Sequence, residues 1–219
     1  MIKSFLSLAI FTSFFLISCS GSTSQFINEK YQNGEQPGSV SLLTIQESNF
    51  NGKFSYHTFG TLRANEVQLF EDFLTEFSIG AIDHSNGMLT QFDPSEFEKR
   101  SFETGNESFT SLTPTVGTTI YDDNQESRYI VIIDRYYFDQ YEDIVASNSY
   151  AGHEQEVVPR LNFKTNYVIW DNEIGDAVAW GALEADRRIV LSRIEEIYDE
   201  LLTESFNKMM AKSPFSAQI

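Results

Sequence analysis

Cysteine is all but absent: Cys19 is the only one among 219 residues. No disulfide can form within the chain, so whatever folds must hold by its core. Positive charge is scarce too, with 15 Lys and Arg against 32 Asp and Glu, a net charge of −17. That balance excludes nucleic acid as a partner, because phosphates need Lys and Arg to neutralise them. It also argues against peripheral binding to anionic headgroups, and reads as a solubilising surface. The three histidines, His57, His84 and His153, stand far apart with none at i+4 spacing. A zinc site needs three or four converging ligands, so no metal and no cofactor is expected. Asp83-His84-Ser85 and His153-Glu154 are read as surface loop residues, and no G-x-S-x-G elbow or phosphate-cradling loop occurs. The run 122–126 (DDNQE) lacks the alternation and central glycine of a calcium loop. No catalytic residue is assigned, and a non-enzymatic protein is expected.

Long hydrophobic runs are missing as well. The longest, residues 5–17 (FLSLAIFTSFFLI), is uncharged and follows Lys3. It falls short of the ~20 residues that span a bilayer and has the form of the apolar region of an export signal. It ends in Leu16-Ile17-Ser18-Cys19, a branched apolar residue, a tolerant position, a small residue and cysteine. This resembles the lipobox of bacterial lipoproteins. The resemblance implies a signal peptide over 1–18, cleavage after Ser18, and diacylglycerol on the Cys19 thiol, usually with a further acyl chain such as palmitate on the new amino group. Ser20, in place of an aspartate, implies sorting to the outer membrane, facing the periplasm. Two acyl chains, each contributing about 0.8 kcal/mol per buried CH₂, anchor stably where one gives marginal binding.

Residues 19–39 (CSGSTSQFINEKYQNGEQPGS) are rich in Ser, Gly, Asn and Gln and show no helical or strand period. They read as the lipidated cysteine and a flexible tether with an r.m.s. reach of roughly 25 Å. A single domain is then expected over 40–219, with 19 Phe and 10 Tyr in the chain supplying much of its core. Residues 39–45 predict a strand. Asn65 and Gln68 suggest a helix start, and Val67, Phe70, Phe73, Leu74 and Phe77 share one face, so a helix is expected over about 62–78. Residues 80–127 carry weak signals: a strand near 88–92, a short helix at 94–100 and a polar loop at 105–117. Residues 128–138 (RYIVIIDRYYF) predict a strand buried on both faces in its first half. Residues 162–170 and 177–183 predict a hairpin, with Tyr167 opposite Trp180 and Ile169 opposite Val178 if the loop is 171–176. A long helix over about 187–212, capped by Asp186 and stopped before Pro214, closes the chain.

The expected fold class is α+β, a mostly antiparallel sheet backed by two main helices. The strand YIVIID (129–134), the run from Trp170-Asp171 through Gly175 to Gly181, and the closing helix before Ser213-Pro214-Phe215 resemble small domains of envelope lipoproteins and the amino-terminal domain of the Tol–Pal translocation protein. With no catalytic signature, the resemblance implies an anchored cell-envelope protein whose partners are the bilayer, through Cys19, and an envelope protein met by contact. The alternative uses segment 134–143. There Asp134, Asp139, Glu142 and Asp143 surround Tyr136, Tyr137, Phe138 and Tyr141, as in a carbohydrate-binding or glycan-hydrolysing site. The plainer reading of the same segment is a strand end running into a solvated acidic turn.

Overall fold

The computed structural model describes residues 23–32, 38–45, 70–77, 85–89, 92–105, 107–121, 127–146 and 155–215. Its centre is an antiparallel meander of three long strands, β6 (Tyr129–Ala146), β7 (Gln155–Asp171) and β8 (Asp176–Arg188). Alternating β-branched and aromatic side chains make these strands, and a four-residue turn at 172–175 joins the last two. β1 (Thr23–Ile27) adds antiparallel to β8 at one edge. β2 (Val40–Thr44) adds parallel to β6, and β3 (Ser85–Met88) parallel to β2. The six strands lie in the order β1-β8-β7-β6-β2-β3. The protein is α+β, a mixed sheet backed by helices in one domain.

Both faces of the sheet are buried near the turn end of the meander. Tyr129, Val131 and Ile133 of β6 and Tyr167 and Ile169 of β7 face one side. There they meet Phe70, Leu74 and Phe77 of α1 (residues 70–77) and Leu201, Phe206, Met209 and Met210 of α2 (Ile194–Met210). Ile130, Ile132, Val168 and Trp170 face the other side, under Phe102, Phe109 and Leu112. Those three belong to a separate hairpin of β4 (Phe97–Thr104) and β5 (Glu107–Pro114). One residue per strand step goes to each layer, as the two-residue period requires. A bulge at Asp134 resets the phase, so that Tyr136 and Phe138 return to the helix side.

Four expectations are corrected. Residues 23–31, read as tether, contain β1 and a short 3₁₀ turn at Glu29–Tyr31, with Tyr31 in the main core. An edge strand buries little, so the partly buried Ile27 and the buried Tyr31 that follows it suffice among polar neighbours. Residues 97–104 and 107–114, read as short helix and polar loop, pair as β4 and β5; alternate positions Phe102, Thr104, Ser111 and Thr113 are buried. The closing helix begins at Ile194, because β8 continues through Arg188 and Ile189 donates its N–H to Pro159 O at 2.8 Å. Asp186 is thus a strand residue. In the hairpin Trp170 opposes Ala177, but a bulge at Val178 puts Ala179 opposite Ile169 and Gly181 opposite Tyr167. The residues 62–69 of the first expected helix lie outside the described residues.

Gly175 takes a φ of +62°, and a Cβ there would sit 2.7 Å from Gly117 Cα. The Gly117 N–H donates to Gly175 O at 2.7 Å, so the turn and the segment after β5 touch backbone to backbone. Gly175→Ala is expected to cost about 2–4 kcal/mol, from left-handed strain plus overpacking. A urea titration reads this as a lower midpoint at unchanged slope; a midpoint equal to wild type rejects the account.

Candidate functional site

Cys19, His57, Asp83, His84, His153, Glu154 and the run 122–126 lie outside the described residues. Ser85 begins β3, where its hydroxyl accepts from the Gly87 N–H at 3.0 Å. Among the described residues no three His, Cys, Asp or Glu side chains stand together as a metal would need.

Segment 134–143 is a continuous part of β6, with no turn inside it. At about 3.3 Å per residue, Asp134 and Asp139 are roughly 16 Å apart along the strand and Asp139 and Asp143 roughly 13 Å. Asp139 and Glu142 lie on opposite faces. A glycosidase holds its two carboxyls about 5–9.5 Å apart, and the strand brings no pair to that spacing on one face. Asp134 is buried under β5, where its carboxylate accepts the Leu112 N–H at 3.2 Å, and Asp143 pairs with Arg160 at 3.8 Å.

The structure does bring together the polar side of the distal sheet, beyond the reach of the β4–β5 hairpin. Because Phe138, Leu161, Phe163, Leu183 and Ala185 face the helices, the residues between them face the other way. Lys164 pairs with Glu184 at 2.8 Å, and Asn162 donates to the same carboxylate at 2.8 Å. Arg160 pairs with Asp186, which also accepts from the Tyr141 hydroxyl at 3.4 Å. At the hairpin end of this face lies a shallow groove of about 220 Å³, lined by Glu107, Tyr137, Lys164, Asn166, Ala182 and Glu184. Its chemistry is that of a polar recognition surface: one aromatic face, an amide, and charges of both signs.

A second polar cluster closes the turn end of the sheet. Asp171 is fully buried and accepts the Tyr31 hydroxyl at 3.0 Å and the Glu173 N–H at 2.9 Å. Arg128 reaches Asp171 at 3.4 Å and Glu173 at 2.9 Å, and its guanidinium lies 5.0 Å over the Tyr129 ring. Burial, then the hydrogen bond to Asp171, pushes the Tyr31 hydroxyl up to about 12. Asn172 beside it bonds Ile120 N and O and Ser127 O at 2.7–3.0 Å. These residues fix the fold's ends, and no local pattern signals them: Tyr31 and Asp171 are 140 positions apart.

Asp134 is a buried carboxyl with one oxygen, Oδ1, that meets no hydrogen-bond partner. Burial pushes it above the ordinary carboxylate range, against the Leu112 N–H and the charges of Arg135 and Lys99. The folded state therefore favours the protonated form more than the unfolded chain does. Its contribution to stability is full below the ordinary carboxyl range and is lost as pH rises through the raised value. Asp134→Asn keeps an acceptor for Leu112 and removes the charge. The variant should unfold at a higher urea concentration than wild type at about pH 7, and the difference should shrink towards about pH 3. A destabilised variant at neutral pH contradicts this reading.

No family model matches the chain, and no curated protein matches it. Among solved structures it is similar to a homolog of neuraminyllactose-binding hemagglutinin from Helicobacter pylori, at 10% identity and a TM-score of 0.42, over 79% of each chain. It is also similar to the PelC dodecamer from Paraburkholderia phytofirmans, at 11% identity and a TM-score of 0.38, over 85% of this chain and 94% of that one. Likeness at this level assigns neither a family nor a function.

Proposed function

We propose that this chain is a lipid-anchored protein of the bacterial cell envelope, held by an acylated Cys19 at the periplasmic face of the outer membrane, that works by contact with an envelope protein. The observation that carries the proposal is Lys3 followed by the thirteen uncharged residues 5–17, whose last two open Leu16-Ile17-Ser18-Cys19, with the sole thiol of the chain at its end. A thiol used for anchoring is consistent with a core of packed aromatic and aliphatic side chains and no disulfide. On the sheet Arg160 pairs with Asp186 and Lys164 with Glu184, and Arg187 of β8 reaches Glu204 of α2. Cys19→Ala should abolish incorporation of an alkyne-labelled palmitate and move the protein from the membrane to the soluble fraction. Label retained in the variant overturns the anchor; a lipidated protein that cross-links in cells to no reproducible partner overturns the contact role.

One observation favours a second reading, a carbohydrate-binding surface. Tyr137 presents a half-buried ring beside Asn166, Lys164 and Glu184 in the groove, and a pyranose needs a flat apolar face with polar groups around it. A titration against neutral mono- and disaccharides should then show a Kd of about 1 mM, lost in Tyr137→Ala. No heat with any sugar, or binding unchanged in the variant, removes this reading.

A further inference from the structure

Only Ser20, Gly21 and Ser22 separate Cys19 from Thr23, where β1 begins. Fully extended, the four Cα steps from Cys19 to Thr23 span at most about 14 Å. A headgroup layer of about 5–8 Å takes up much of that span. A domain with a twenty-residue tether would be free to turn in any direction above the bilayer. One that enters its sheet this soon is not, and Thr23 is always close to the membrane.

Chemistry decides which surface next to Thr23 turns towards the bilayer. The outer side of α2 exposes Glu195, Glu196, Asp199 and Glu200. The open face of the sheet carries Asp139, opposite Asn162, with Asp143 and Glu184. Desolvating such groups against headgroups is costly, and more so where the lipid is anionic. β1 is different: Thr23-Ser24-Gln25-Phe26-Ile27 has no charge at all in a chain of net −17. Phe26 is 41% exposed and stacks on Trp180 with ring centroids 4.2 Å apart. Trp180 keeps its indole N–H on Glu103 O at 2.8 Å. An exposed Phe26 ring backed by a partly buried Trp180, on an uncharged edge, is a composition that settles at a lipid–water interface.

We infer that the β1 edge of the sheet rests on the headgroup layer of the membrane that carries the anchor, with Phe26, backed by Trp180, at the interface. This rests on the lipidation of Cys19 proposed above. Glu103 and Glu107 flank the hairpin end beside Ser24, which bonds Thr104 O at 2.6 Å, and confine the contact to the strand. So small a patch does not hold an acidic protein to a bilayer alone; the anchor supplies the effective concentration. The other edge strand among the described residues, β3, lies five strand spacings away, about 24 Å at 4.8 Å each.

The full chain, matured in a bacterium and reconstituted in phosphatidylcholine vesicles, tests this with single new cysteines bearing an environment-sensitive fluorophore. Phe26→Cys and, as a milder change further from the anchor, Asn28→Cys report the β1 edge. Ile144→Cys reports a 62% exposed site on β6, three strands away. Headgroup-attached nitroxide lipids should quench the first two labels several-fold more than the third. Equal quenching at all three sites, with intact mass showing the lipid on Cys19, overturns the orientation and leaves the anchor standing. An unlipidated Cys19 in that mass measurement overturns the anchor and the orientation together. Protection of the β1 labels that grows with protein-to-lipid ratio means β1 pairs with a second copy, and overturns it as well.

Discussion

Burial of both faces of the β6–β7 ladder is the constraint on which the rest of the structure depends. Ile130 and Ile132 point one way and Tyr129, Val131 and Ile133 the other, and all five are buried. A strand of this kind has no side to give to water, so the fold must supply two covers. Helices α1 and α2 supply one, through a band of aromatic contacts in which Phe206 meets Phe70, Phe73 and Phe77 at 5.2–6.4 Å. The β4–β5 hairpin supplies the other, with Phe102 5.2 Å from Trp180. Where the hairpin stops the open face turns polar, and that is where ion pairs and the groove replace apolar contact.

Two covers on one sheet leave polar atoms at their margins, and the fold meets them with side chains from distant parts of the chain. Asp171 ends β7 and receives Tyr31 from the segment after β1 and Arg128 from the start of β6. Asp134 sits in the bulge that resets β6 and reaches the Leu112 N–H of β5. The first is a carboxylate well supplied with donors. The second is short of them, which is why its charge is a burden at neutral pH. Gly181 serves the same economy of space: a Cβ there would stand 2.9 Å from Gln25, Ser24 and Tyr167, so its absence lets β1 close on β8.

Legibility in the sequence followed the strength of local pattern. The run 129–133 announced a strand buried on both sides, and the apolar stripe through Leu201, Leu202, Phe206 and Met209 announced the closing helix. The hairpin of β4 and β5 did not stand out, because its buried positions include Thr104, Ser111 and Thr113, residues that also mark loops. β1 was read as tether for a similar reason: an edge strand of Ser, Thr and Gln draws its stability from β8, not from its own composition. The apparent cap at Asp186 failed because a capping residue and a strand residue bonded to Arg160 and Tyr141 look alike in sequence. The acidic-aromatic segment 134–143 was visible as a composition, yet only the strand geometry showed its carboxylates spread along β6 and facing different layers.

The sequence by itself determined the α+β class, the long closing helix, the doubly buried strand and the candidate anchor at Cys19, because each rests on residues within a few turns or strand steps of one another. Tertiary structure alone decided that the sheet has parallel neighbours at β2 and β3, that a hairpin covers its second face, and that Tyr31 closes on Asp171. It also decided that the chain from Cys19 to the fold is three residues long rather than twenty. The reason is the same in each case: these features are stabilised by contacts between segments far apart in the chain, and no local pattern encodes a partner that lies a hundred residues away.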